Sequence, residues 1–205
     1  MKRYGIMGGT FDPIHYGHLV IANEVLSDFN LDKIFFVPTG IPPHKTSEGM
    51  TNPYHRYMMT QFATMTHPSF DVCDYEIAKD TVSYTIDTIE YFHNLYPDSK
   101  LYFITGTDAV LELPTWKDTE GMLAICTFIA VNRPGYVKEN LEEKINQIAI
   151  QYHGEIYSID APQLKISSTD IRNRIAENRP IKYLLPETVE QYILKNKLYI
   201  RRCHD

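Results

Sequence analysis

The sequence predicts an α/β fold, a doubly wound parallel sheet covered by helices on both faces. Three observations lead there. Short apolar runs alternate with longer amphipathic segments along the 205 residues. The first apolar run stops at Gly8-Gly9 and leads into a helix, the opening of a βαβ unit. With 43% apolar and 22% charged residues, the composition is that of an ordinary globular protein of about one to one and a half average domains.

The elements follow in order. Tyr4 to Met7 is a strand. From Gly17 the apolar residues Leu19, Ala22, Leu26 and Phe29 recur at helical spacing, and Asn30 ends that helix. Ile34 to Val37 is a compact strand closed by Pro38. Asn52 to Met65 and Ser83 to Tyr96 read as helices, with Phe70 to Tyr75 a strand between them. Leu101 to Ile104 is a strand ending at Thr105-Gly106, and Ile125 to Val131 is another. Asn140 to Ile150 reads as a helix capped by Asn140, with Leu141, Ile145 and Ile148 on one face. Glu155 to Ile159 is a strand, Ser168 to Ala176 a helix, and Pro186 takes the first position of a last helix through Leu194. The Pro-, Gly- and Ser-rich stretch Thr39 to Thr51 lies inside this pattern and reads as a functional loop. The chain 1–205 is therefore expected to form a single domain, its helical part from about residue 167 packed on the sheet.

Charge narrows the function classes. Twenty Lys and Arg against 26 Asp and Glu give a net charge of −6, which argues against a protein that coats nucleic acid. A single nucleotide pocket needs only a few local donors. Cys73, Cys126 and Cys203 are an odd number with no C-x-x-C pair, so a disulfide framework is not expected and a reducing, cytoplasmic setting is. The longest apolar run, Met122 to Val131, is too short to span a bilayer, and no signal-peptide pattern follows Met1-Lys2-Arg3.

The segment Gly8-Gly9-Thr10-Phe11-Asp12-Pro13-Ile14-His15-Tyr16-Gly17-His18 carries the most chemistry. It fits neither G-x-x-x-x-G-K-[ST] nor G-x-G-x-x-G. Its place, between a strand end and a helix N-terminus, is where α/β sheets hold phosphates. Glycines admit close approach of a ligand to the backbone. His15 and His18, three apart, can project toward one ligand. Two other readings stand beside the phosphate site: a metal pair, for which no third ligand is spaced on that helix, and a tight structural turn. A second segment, Ile166-Ser167-Ser168-Thr169-Asp170-Ile171-Arg172, offers a Ser cap, free first-turn amides and a guanidinium, or else a plain surface helix.

Together the two segments resemble the G-x-F-x-P-x-H-x-G-H and I-S-S-T-x-I-R motifs of the nucleotidyltransferase α/β-phosphodiesterase superfamily, in the same order. Three further segments resemble one branch of it, the bacterial nicotinate mononucleotide adenylyltransferases: Val37 to Lys45, Asp80 to Thr88, and Ile104 to Asp108 with Leu113 to Lys117. The resemblance implies a Rossmann-like nucleotidyltransferase fold. It also implies adenylyl transfer from ATP to nicotinate mononucleotide, giving deamido-NAD and pyrophosphate in NAD biosynthesis. Under it, His15, His18 and Arg172 are catalytic. Gly8, Gly9, Thr10, Phe11, Gly106, Asp108, Ser168 and Arg133 bind ATP, and Tyr84, Thr85, Trp116 and Lys45 bind the pyridine nucleotide. Mg²⁺ accompanies ATP, with no metal site on the protein. Nucleic acid and membrane partners are not expected, and the chain acts as a monomer or small homo-oligomer.

Taken alone, several of these residues have plainer readings. Trp116 suits a core, Lys45 a solvated loop, Asp108 a helix cap, Ser83 the N-cap of its helix, and Arg133 a strand end touching phosphate or nothing. Two other functions share the motifs: a phosphopantetheine adenylyltransferase-like enzyme, which lacks the Ser83-Tyr84-Thr85 and Trp116 segments, and a non-catalytic nucleotide sensor. A hydrolase built on H-x-x-H is the third.

Overall fold

Fully apolar runs become strands that are covered on both faces. In the computed structural model, which describes residues 1–42, 49–132, 138–162 and 164–200, six strands form one sheet in the order β3-β2-β1-β4-β5-β6. They are β1 (Lys2–Gly9), β2 (Lys33–Pro38), β3 (Phe70–Val72), β4 (Ser99–Gly106), β5 (Thr127–Asn132) and β6 (Ile156–Asp160). Every pairing is parallel. Strand side chains alternate between two cores, as a period of two requires. Met7, Ile34, Phe36, Ile104, Ile129 and Val131 enter one core, and Ile6, Phe35, Val37, Phe103, Phe128 and Ala130 the other.

Helices cover both faces. α1 (Tyr16–Asp28) buries Ala22 and Val25, and α2 (Pro53–Thr64) is capped by the Asn52 side chain, which accepts from the Tyr54 N–H at 2.9 Å. α3 (Thr85–Leu95) and α6 (Lys138–Gln151) supply Ile89, Phe92, Leu141 and Ile145 to the second core. α7 (Ser168–Ala176) and α8 (Glu187–Lys195) bring Ile171, Val189 and Ile193 into the first core beside Met7 and Ile129. Asn30, at φ 48°, turns the chain out of α1.

The structure departs from the sequence reading at several boundaries. α4 (Thr107–Leu111), a 3₁₀ turn at Leu113–Thr115 and α5 (Thr119–Ile125) were not expected, and α5 takes Ile125 from the strand assigned there. Segments of five to seven residues are too short for helical spacing to show. β3 stops at Val72, because the chain then turns inward to bury Glu76. α6 begins at Lys138, so Asn140 lies in its first turn and is not its cap. Pro186 is the N-cap of α8, at ψ 143°, one residue before the helical position expected for it.

Candidate active site

Strand order reverses between β1 and β4, and a crevice opens at their carboxyl ends, the place where doubly wound sheets take ligands. A cleft of about 1360 Å³ occupies it, larger than the usual small-molecule pocket of about 300–1,000 Å³. Gly8, Gly9, Thr10 and Phe11 line its floor, with His15 and His18 on one side and Gly106, Ser168 and Arg172 around the rest.

The two histidines are held by the start of α1. His15 is its N-cap and stands with His18 in a capping-box arrangement across the first turn. His15 N–H meets His18 Nδ1 at 3.3 Å. The rings stack at 3.8 Å between centroids, with His15 buried and His18 half-exposed on the cleft. Since Nδ1 of His18 accepts, a neutral ring carries its proton on Nε2. In that tautomer Nε2–H is the donor the ring can offer. Phe11 packs edge-on to His18 at 5.2 Å from a left-handed backbone, φ 48°. A Cβ on Gly9 would lie 2.9 Å from the Phe11 ring, so glycine there lets the loop close on itself.

Three carbonyls of this loop are gripped from other elements. Arg56 Nη1 donates to Thr10 O at 2.8 Å, Arg172 Nη1 to Asp12 O at 2.7 Å, and Ser168 Oγ to Pro13 O at 2.8 Å. The Asp12 side chain is buried: Oδ1 accepts from the Tyr199 hydroxyl at 2.6 Å and Oδ2 from the Thr51 N–H at 3.2 Å. At α7 the cap is Ser167, whose Oγ accepts from Asp170 N–H at 3.1 Å, which frees Ser168 to reach the loop. Arg172 also donates from Nη2 to Thr169 Oγ1 at 3.3 Å.

The residues expected to bind the pyridine nucleotide, Tyr84, Thr85 and Trp116, lie at or beside the start of α3, outside the lining of the cleft. Ser83 does not cap that helix. Tyr84 holds the N-cap position with no side-chain cap, and the Ser83 N–H is drawn to Ile41 O at 2.8 Å. The Ser83 hydroxyl is buried toward Gly40 and Glu76. The first-turn amides of Thr85 and Ile86 remain the donors at this end. The Trp116 turn lies against it: neighbouring Lys117 places Nζ 4.4 Å from the Tyr84 ring centroid and 3.5 Å from Asp87 Oδ1. Trp116 is half-buried and packs against the second core, so both of its readings hold in part. Gly106 reaches the cleft, whereas Asp108 sits within α4 and is not among the residues lining it. Lys45 and Arg133 lie outside the described residues.

Arg56, Tyr199 and Glu76 escaped the sequence reading, and Asp12 appears there in the first motif without a role of its own. Arg56 had one signal: it falls on the line Arg56, Met59, Thr60, Ala63, the buried face of α2. Glu76 is almost fully buried; burial pushes its carboxyl up, opposed by hydrogen bonds from Thr88 (2.7 Å to Oε1) and the Gly40 N–H. Among the described residues no group of three or more His, Cys, Asp or Glu gathers to hold a metal, and no helix is long and apolar enough to cross a membrane.

Comparison with known proteins places this geometry. Residues 6–174 match the model of a cytidylyltransferase-like family. A probable nicotinate-nucleotide adenylyltransferase of Thermoanaerobacter sp. is 54% identical over 96% of this chain and 94% of its own length. One of Moorella thermoacetica is 52% identical over 96% and 91%. Among solved structures, a nicotinic acid mononucleotide adenylyltransferase of Plasmodium falciparum complexed with NaAD superposes with TM-score 0.79 at 23% identity. It covers 97% of this chain and 98% of that one, a likeness of fold.

Proposed function

The chain belongs to the cytidylyltransferase-like family and, within it, to the nicotinate-nucleotide adenylyltransferases, and on that premise we propose that it joins ATP and nicotinate mononucleotide in the cleft, giving deamido-NAD and pyrophosphate. The observation that carries the reading is the convergence of two helix N-termini, those of α1 and α7, on one glycine-floored cleft with His18 and Arg172.

In the reaction an oxygen of the mononucleotide phosphate attacks the α-phosphorus of ATP. A new P–O–P bond forms, and the bond from the α-phosphorus to the bridging oxygen breaks, so pyrophosphate leaves with that electron pair. The attacking phosphate is already ionised near neutral pH, so no protein base is needed. The chain's work is positioning and charge stabilisation. His18 Nε2–H and the Phe11 amide donate to phosphate oxygens, and Arg172 and the first turn of α7 hold the leaving end. His15 keeps His18 in place through the capping box. Magnesium arrives as part of the substrate, Mg·ATP. Thr85 and Ile86 amides receive the pyridine carboxylate, and Trp116 lies along the ring. The free thiols of Cys73 and Cys126 support a cytoplasmic setting.

The test supplies Mg·ATP with nicotinate mononucleotide, nicotinamide mononucleotide or phosphopantetheine, and measures pyrophosphate and product mass. One or two such terms, a charge-assisted bond gained or a mismatched donor avoided, are worth about 1.4–4 kcal/mol and give roughly 10- to 10³-fold preference in kcat/KM for the acid over the amide. Turnover of phosphopantetheine, or nucleotide binding with no turnover on any acceptor, would refute the reading.

A further inference from the structure

Arg56 is fully buried, yet its three nitrogens end on backbone carbonyls of three separate segments. Nη1 donates to Thr10 at the carboxyl end of β1, Nε to Thr51 at 3.0 Å just before α2, and Nη2 to Gly40 at 3.4 Å just after β2. Burial pushes the guanidinium down, and Asp12, Tyr199 and Glu76 oppose that. A buried cation is costly to keep, and these contacts lie directly behind the floor of the cleft.

Gly40 is gripped from both sides. Its carbonyl accepts from Arg56, its N–H donates to Glu76 Oε2 at 3.4 Å, and a Cβ there would lie 2.2 Å from Glu76 O. Glu76 in turn accepts from Thr88, in the first turn of α3, at 2.7 Å. One chain of contacts therefore runs from the phosphate loop through Arg56, Gly40 and Glu76 to the start of α3. The Thr10–Phe11 peptide is trans, so its C=O and N–H point opposite ways. With the carbonyl fixed on Arg56, the Phe11 N–H points away from Arg56, and Phe11 itself lines the cleft.

We propose that Arg56 is a positioning residue for the adenylyl transfer described above: it turns the Phe11 amide toward the reacting phosphates and sets the distance between the phosphate loop and the pyridine end of the site. It touches neither substrate. It acts through Thr10 on one side and through Gly40 on the other.

The test rests on the proposed reaction but has an arm independent of it. In the full-length protein labelled with ¹⁵N, the Phe11 amide resonance is followed during titration with Mg·ATP, with no acceptor present. In parallel, Arg56→Lys and Arg56→Met are compared with the parent for cooperative melting, kcat, and KM of both substrates. A single ammonium reaches fewer of the three carbonyls. The expected result for Arg56→Lys is a folded protein whose kcat falls about 10- to 100-fold while KM for nicotinate mononucleotide moves less than about threefold. Arg56→Met is expected to lose more. A purely structural role predicts a lowered melting temperature with kcat intact, and that result overturns the proposal. So does a Phe11 resonance unmoved by Mg·ATP, which reads out even if neither variant folds. Absence of turnover in the parent, with the Phe11 shift present, would instead refute the assigned reaction and leave the orientation of the loop standing.

Discussion

Arg172→Lys keeps the charge and removes the shape. Arginine carries five N–H donors in a plane. In the folded protein one on Nη1 holds Asp12 O at 2.7 Å and one on Nη2 holds Thr169 Oγ1 at 3.3 Å. That leaves an in-plane set on Nε, Nη1 and Nη2 for phosphate oxygens. A lysine has three donors on one atom. If it keeps Asp12, the planar pair is gone; if it turns to phosphate, the Asp12 carbonyl is released and the loop loosens. Either way one charge-assisted hydrogen bond is lost, about 1.5–3 kcal/mol. At 1.4 kcal/mol per tenfold, that lowers kcat/KM for ATP about 10- to 100-fold. Stability should fall by only about 0.5–1.5 kcal/mol, the net value of one hydrogen bond at this half-buried position. Continuous pyrophosphate release at varied ATP and saturating nicotinate mononucleotide gives the kinetic constants, and thermal melts give the stability. Kinetics equal to the parent would mean that Arg172 only braces the loop and contributes nothing to phosphate.

Other perturbations separate chemistry from packing. His18→Ala removes one donor to the reacting phosphates and should cost about 10²–10³ in kcat. Its melt should change little, because His18 is half-exposed on the cleft; a collapsed melt with unchanged turnover would make it structural. Glu76→Gln tests the buried carboxyl. A carboxyl whose folded pKa is raised binds protons more tightly in the native state, so stability is fullest below the ordinary carboxylate value of 4.5 and falls as pH rises through the raised one. Glutamine should abolish that slope, so the difference in unfolding free energy between parent and variant should change with pH above 4.5 in favour of the variant; a pH-independent difference would refute it.

The frame was legible because a parallel sheet buries both faces of its strands, and runs such as Ile34 to Val37 or Phe128 to Val131 then stand out as unbroken apolar segments. The two motifs were legible for another reason: they sit at strand ends and helix starts, where local sequence decides backbone geometry. What was not legible depends on distant partners. Ser83 has the look of a cap, but the bridge between Ile41 and Val82 and the buried Glu76 draw it elsewhere. Arg56 shows only its place on the buried face of α2; its role depends on Thr10, Gly40 and Thr51, which fold around it from other segments. The short helices α4 and α5 are set by what they pack on, and their few residues show no period of their own.

The hydrogen bond between Asp12 and Tyr199 spans 187 residues. Synthesis proceeds from the N-terminus, so the loop from Gly8 to His18 emerges from the ribosome early and waits for Tyr199 until α8 has been made. Pairing of β1 with β2 can begin long before, since those strands are close in sequence. A nascent chain thus passes through a stage in which the sheet is largely assembled while Asp12 lacks Tyr199. A chain interrupted between α7 and Tyr199 would hold its histidines without that brace, and the cell would gain a fragment that folds in part without a finished site.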